Sequence, residues 1–194
     1  MIHGKTTILP VLTALVLCCA ACSALKEGDL LFHMAVSDNR ITAVTPGMID
    51  HVAIYAGGDS VVEAIPRLGV VSTPLHRLLQ REDGYYLRGR VKGADGGLTV
   101  GNARHYLGLP YDTLYLQHNG AVYCSELVLL ACTNRQGQRL LAPVPMTFRD
   151  STGTIPAYWQ QLYARHGMGV PEGQPGSNPG EMARRKEIVI KKLK

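Results

Sequence analysis

HVAIYAGGDSVVEA, residues 51–64, is the stretch on which the reading of the fold turns. Two β-branched runs, HVAIY and SVVEA, flank Ala56-Gly57-Gly58-Asp59, and short apolar runs around a glycine-bearing turn predict a β-hairpin. Side chains alternate along a strand, so His51, Ala53 and Tyr55 share one face, and Val61 and Glu63 share one on the returning strand. A three-residue loop at 56–58 pairs Tyr55 with Asp59 and sets His51 directly opposite Glu63. Any odd loop keeps the two on one face; a two-residue turn at Gly58-Asp59 would separate them. A carboxylate on one imidazole nitrogen fixes the tautomer and frees the other nitrogen as a base, so His51 and Glu63 are candidate base and orienting residue.

Downstream, YCSELVLLACTN (residues 123–134) reads as one helix starting near Tyr123 or Cys124, because Gly120 breaks what precedes it. A thiol at a helix start meets the positive end of the dipole and unpaired backbone N–H groups, which favour thiolate and can hold an oxyanion. Cys124 is therefore the candidate nucleophile, with His51 and Glu63 expected on the sheet face that receives its helix. The competing reading of an isolated cysteine is a buried apolar thiol, and Cys132 is read that way. Eight residues of helix separate Cys124 from Cys132, about 12 Å, too far for a disulfide.

The other three of the five cysteines sit near the N-terminus. Lys5, the apolar run 8–17 and the small residues after it predict an export signal over residues 1–22, too short for a permanent span. Cys18 and Cys19 would leave with that signal. Cys19-Ala20-Ala21-Cys22-Ser23 resembles a bacterial lipobox, with Cys22 as the lipidated first residue of the mature chain. The expected location is a membrane-anchored lipoprotein facing the periplasm or cell exterior. Cys19 stands where that pattern prefers Leu, and ordinary secretory cleavage nearby is the alternative.

The 194-residue chain is 46% hydrophobic and 18% charged, a globular composition. Its net charge of +5 comes from residues 184–194, which hold six basic residues and one acidic residue; the remaining fourteen basic and fourteen acidic residues cancel. A neutral body argues against nucleic-acid binding, and the basic end reads as a solvated tail, with a phosphate or anionic-lipid contact as the alternative. Strand signals cluster early: residues 28–32, the hairpin, 69–73 and 85–91. Helical signals follow in PLHRLLQR, GGLTVGNARHYLG, the Cys124 segment and TIPAYWQQLYARHG. That order predicts an α+β domain over residues 26–166, an antiparallel sheet packed by helices. Residues 167–194 are expected as a Gly/Pro-rich extended segment and basic tail. No His/Cys/Asp spacing suggests a metal site, and no cofactor is called for.

GDLLFH, DHVAIYAGGDSVVEA, GVVSTPL, LGLPYDTLY and VYCSELV, in this order, resemble the YiiX/YebB group, permuted relatives of the NlpC-type papain-like cysteine hydrolases. Asp50 departs from the group, where a serine is frequent. The resemblance implies a circularly permuted papain-like fold with histidine before cysteine in the chain, Cys124 as nucleophile, His51 as base and Glu63 as third polar member. It also implies amide hydrolysis through a thioacyl-enzyme on cell-envelope peptides or N-acyl amino-acid conjugates. Two alternatives stand beside it: a lipid acyltransferase or thioesterase of the lecithin:retinol acyltransferase-like type, and a non-catalytic envelope binding module. Tyr111 and Asp112 of the PYD turn are candidates to line the cleft, against a plain turn-forming role; Tyr123 is a candidate to shape the pocket. His118 competes as base from a solvated loop, His33 could approach the site from the first strand, and His76, His105 and His166 fall on helical patterns. Glu126 is expected to engage the N–H groups of the first helical turn.

Overall fold

The computed structural model describes residues 25–39, 42–43 and 47–193; the export segment and Cys22 lie outside them. The β-branched runs form β1 (Leu30–Ala35), β2 (Ile49–Tyr55), β3 (Val61–Ile65), β4 (Gly69–Thr73) and β5 (Gly84–Val91). The helical signals give α1 (Leu75–Leu79), α2 (Gly96–His105), α3 (Cys124–Ala131) and α4 (Ala157–Arg165). β6 (Val144–Pro145), β7 (Pro175–Gly176), α5 (Pro179–Met182) and β8 (Ile188–Lys192) complete the described chain. Six strands make one sheet in the order β4-β3-β2-β1-β5-β8, with every neighbouring pair antiparallel, and β6 pairs with β7 apart from it. The class is α+β, as the segregation of strands and helices requires. Among the described residues no helix is long and apolar enough to cross a membrane.

Strand alternation divides the core into two layers. Leu30, Phe32, Val52, Ile54, Val62 and Ala64 pack with Ala103 of α2 and with Leu127 and Val128 of α3. On the other face Leu31, Ala53, Tyr55, Val61 and Tyr86 pack with Leu25 and with Leu75 and Leu78 of α1. α3 is buried along its whole length apart from the half-buried Leu130, which explains why CSELVLLA carries almost no polar face. A third cluster joins Met146 and Phe148 to Trp159 and Tyr163 of α4.

Two expectations are corrected. The hairpin loop holds five residues, 56–60, not three: Tyr55 pairs with Val61, and Ala56 N–H bonds the Ser60 carbonyl at 2.9 Å. Gly57 and Gly58 both take positive φ, and the Tyr55 hydroxyl donates to the Gly58 carbonyl, which closes the wider loop. An odd length survives, so His51 and Glu63 keep the same parity, but in this register Ala53, not His51, would face Glu63. The basic end is also no solvated tail. Ile188–Lys192 is the edge strand of the main sheet, paired with β5 from Leu87↔Lys192 to Val91↔Ile188, and Ile188 and Ile190 point into the core. Met182 of α5 is fully buried, so residues 175–192 pack as part of the same unit as α3.

One glycine ties the hairpin to the site. Gly69 has φ +77°, and a Cβ there would stand 2.1 Å from the Leu109 carbonyl oxygen. That close approach lets Val70 N–H bond the Leu109 carbonyl and Gly108 N–H bond the Val70 carbonyl, both at 2.9 Å. The turn leading to Tyr111 is thereby fastened to β4.

Candidate active site

Cys124 is the first residue of α3, after Tyr123 as N-cap in extended conformation. The first intrahelical bond runs from Leu127 N–H to the Tyr123 carbonyl at 3.0 Å, which leaves the N–H groups of residues 124–126 outside the helix's own ladder. The Glu126 carboxylate accepts from the Tyr123 N–H, a reach-back from the first turn to the N-cap. Burial, and then the charge of Asp112, push its carboxyl up to about 7.

His51 Nε2 donates to Glu63 Oε2 at 2.6 Å, and its remaining ring nitrogen serves the hydrogen bond with Cys124. Parity alone would not bring these together. His51 and Glu63 belong to the sheet face packed by α1, whereas α3 packs the opposite face, contrary to the expectation of one shared face. Two irregularities account for the contact. The β2–β3 ladder stops at Ile54↔Val62, before it reaches His51. The β1–β2 register shifts between His33↔His51 and Met34↔Ile49, leaving Asp50 as the extra residue of a bulge that bends β2 beside His51. The start of α3 meets the imidazole where the sheet is open.

The electrostatics follow from burial and partners. Burial disfavours the charged imidazole, but the hydrogen bonds and charges of Cys124 and Glu63 outweigh it and hold His51 up at about 9. Glu63 is fully buried, which alone would raise its carboxyl. The hydrogen bond and charge of His51, a hydrogen bond from Thr73 and the charge of Arg81 bring it instead down to about 2. Arg81 Nη2 donates to Glu63 Oε1 at 2.8 Å, so each carboxylate oxygen has its own cationic partner. Cys132 is completely buried, and burial pushes its thiol up to about 12.

A slot of about 60 Å³ opens onto Cys124. Its walls are aromatic, with Tyr111, Tyr115, Tyr123, Phe148 and Trp159, and its polar lining includes Asp50, Ser125, Ser177 and Asn178. The hydroxyl of Ser125 is buried without a hydrogen-bond partner among the described residues, whereas the Ser177 side chain bonds Tyr123. Tyr111 and Tyr123 thus reach the slot. Burial, followed by the charge of Cys124, holds the Tyr111 phenol well above its usual range, and the Tyr123 hydroxyl accepts from Ser177 N–H at 3.1 Å. Asp112 does not line the slot: its two oxygens accept from Leu114 N–H at 2.8 Å and Leu116 N–H at 2.6 Å, the turn-forming role.

The other histidines lie elsewhere. His118 lines a separate depression with Glu126. His76 bonds exposed Asp59, His105 stacks edge-on with Tyr106, and His166 caps α4. His33 is buried one pair across from His51, and its Nδ1 donates to Asp50 Oδ1 at 2.6 Å. Burial would raise the Asp50 carboxyl, but bonds from His33 and Asn39 and the charges of His33 and His51 bring it below its ordinary value. Sequence reasoning missed Arg81, the aromatic wall of Phe148 and Trp159, and Ser177. The first lay in a stretch read as an ordinary surface helix, and the last in a segment read as lying outside the domain. Among the described residues no group of three or more His, Cys, Asp or Glu is placed to hold a metal ion.

No curated protein matches the chain significantly. A crystal structure described as metalloprotein yiiX from Escherichia coli O157:H7 superposes with a TM-score of 0.66 at 21% identity, covering 87% of this chain and 97% of that one. That likeness concerns the fold alone. A family model described as permuted papain-like amidase enzyme, YaeF/YiiX, C92 family, matches residues 24–187. The chain belongs to this family of permuted papain-like cysteine amidases.

Proposed function

We propose that the protein is an exported amidase that cleaves peptide or N-acyl amide bonds through a thioacyl-enzyme on Cys124, with His51 as acid and base and Glu63 as the residue that orients it. The observation that carries this reading is the hydrogen-bonded row from Cys124, which lines the slot, through His51 to Glu63. A protonated imidazole beside the sulfur favours thiolate. The thiolate attacks the amide carbonyl, and the free N–H groups at the start of α3 stabilise the oxyanion. His51 then gives its proton to the leaving nitrogen, the C–N bond breaks, and a thioester remains on Cys124. Water, deprotonated by His51, attacks the thioester and releases the carboxylic acid and the thiol.

The slot supports an apolar, uncharged acyl group: five of its walls are aromatic and Asp50 is its one carboxylate. The unpartnered Ser125 hydroxyl offers a hydrogen bond to a neutral polar group of the substrate, such as a second amide. Cell-envelope peptides and N-acyl amino acids meet that description, and a Cys22 lipid anchor would keep the enzyme beside them. The test is incubation of the protein with muropeptides, N-acyl amino acids and phospholipids, with intact-mass detection of an acyl adduct. An amide substrate should leave its acyl mass on Cys124 and none on Cys124→Ala. An adduct formed from phospholipid alone would replace this reading with the acyltransferase one.

A further inference from the structure

We infer that His33 and Asn39, acting through Asp50, are positioning residues that hold the bulge in β2 and so keep the His51 imidazole on Cys124; this rests on the reading above that His51 serves Cys124. Asp50 is the extra residue between His33↔His51 and Met34↔Ile49, and the ladder closes again beyond it, where Ala35 N–H bonds the Met48 carbonyl at 2.8 Å. A bulge leaves its extra residue outside the ladder, so side-chain contacts must fix where it sits. Both oxygens of Asp50 are fixed in this way. His33 Nδ1 donates to Oδ1 at 2.6 Å, and Asn39 Nδ2 donates to Oδ2. The Asn39 amide cannot turn over without loss, because its Oδ1 accepts from Thr42 N–H at 3.0 Å. Asp50 therefore meets a donor on each side and must accept from both.

The clamp is built into the sheet. His33 is buried in β1, and its ring lies against Tyr86 of β5 with centroids 5.1 Å apart. Gly84 leaves the space for that ring: a Cβ there would stand 2.4 Å from His33 Nε2 and 2.2 Å from the Met34 carbonyl oxygen. Asp50 is also the one carboxylate lining the slot beside Cys124, and its side chain is only 11% exposed. A negative charge there works against a thiolate, so its presence calls for another role. His51 is the next residue along β2, and its charge is felt at Asp50. Fixing Asp50 fixes the backbone dihedrals that set the direction of His51.

The test compares Asp50→Asn, which keeps the volume but sets an amide N–H group against one of the two donors, with His33→Leu, which removes a donor, and His33→Gln, which returns one. Iodoacetamide alkylation of Cys124 at pH 6 should slow about tenfold or more in Asp50→Asn and His33→Leu, as the thiol returns toward its ordinary value of about 8.5. His33→Gln should recover most of the rate. The His51 titration, read by ¹H–¹⁵N NMR, should fall by about 1 unit or more in the same two variants. Asp59→Asn, which breaks the exposed pair with His76, should change neither. In amide hydrolysis the loss should appear in kcat, with KM unchanged. Undiminished alkylation in Asp50→Asn, or a loss that His33→Gln does not restore, would overturn the proposal. A rise in KM confined to substrates bearing an ammonium group would also overturn it, by making Asp50 a substrate contact. Asp50→Asn keeps the test valid if His33→Leu folds poorly. Alkylation and NMR need no substrate, so an absence of amide hydrolysis would count against the amidase reading and leave the clamp standing.

Discussion

Replacing Glu63 by Gln separates the charge of the orienting carboxylate from its shape. His51 is held at about 9 against an ordinary 6.5, a gap of about 2.5 units or ~3 kcal/mol in favour of the imidazolium. Burial opposes that charge, so Cys124 and Glu63 together supply more than the whole gap. With comparable shares from the two partners, Glu63→Gln removes at least half of that gap, and His51 should titrate below about 8, a drop of more than about 1 unit. Long-range ¹H–¹⁵N NMR of the imidazole nitrogens reads this directly in both proteins. Amide hydrolysis should report the same shift on its alkaline limb, because the leaving nitrogen needs the proton on His51. Activity at neutral pH should fall less than in Cys124→Ala or His51→Ala, since nucleophile and base remain. An unchanged His51 titration in Glu63→Gln, or a wild-type value at the ordinary 6.5, would refute the reasoning.

Iodoacetamide at pH 6 should alkylate Cys124 and spare Cys132, whose thiol burial holds at about 12, and His51→Ala should slow the reaction; equal labelling of both cysteines by peptide mass spectrometry would remove the nucleophile. Because the Glu63 carboxyl lies at about 2 when folded and near 4.5 otherwise, its contribution is complete above 4.5 and is lost as pH falls toward 2, about 3 kcal/mol in all. Urea melts at pH 5 and pH 3 should therefore differ more for wild type than for Glu63→Gln, and parallel losses would contradict this. Arg81→Met should raise the Glu63 titration and start the acid loss at a higher pH, with Arg81→Lys in between; identical curves would show that Arg81 does not act through Glu63. A clickable fatty acid should tag the wild type and not Cys22→Ser, and equal tagging would discard the lipobox.

Strand positions, the Cys124 helix and the His51–Glu63 parity were legible because each rests on local periodicity. The length of the hairpin loop was not: two consecutive glycines permit several closures, and periodicity does not select the five-residue one that the Tyr55 hydroxyl closes on the Gly58 carbonyl. β8 was obscured by its charge. Ile188 and Ile190 carry the alternation of a strand, but three lysines within 191–194 and the Arg184-Arg185-Lys186 run read as solvated end. Edge strands are often lysine-rich for the sake of solubility, which gives them the composition of a tail. Of the candidate site, Cys124, His51 and Glu63 could be named from the sequence because each stands on a recognisable element. Trp159, Ser177 and Arg81 could not, since they join the site only through packing between segments far apart in the chain.

Arg81 bears on why this site tolerates a fully buried carboxylate at all. A lone buried Glu would be neutral, and a neutral Glu63 could still accept from His51 but would give no charge to hold the imidazolium. With Arg81 on one oxygen and His51 on the other, the buried row alternates in sign from guanidinium to carboxylate to imidazolium and ends on the sulfur, where the negative charge is wanted. Arg81 is about one-third exposed, so its own charge is largely solvated at one end while its Nη2 serves the buried carboxylate at the other. The desolvation cost of the row therefore falls on Glu63 and His51, and Glu63 is the member with two charged partners. The site also needs its irregular backbone. Had the β2–β3 ladder continued to His51, the imidazole would have faced only α1, and Glu63 would have oriented a histidine with no thiol within reach.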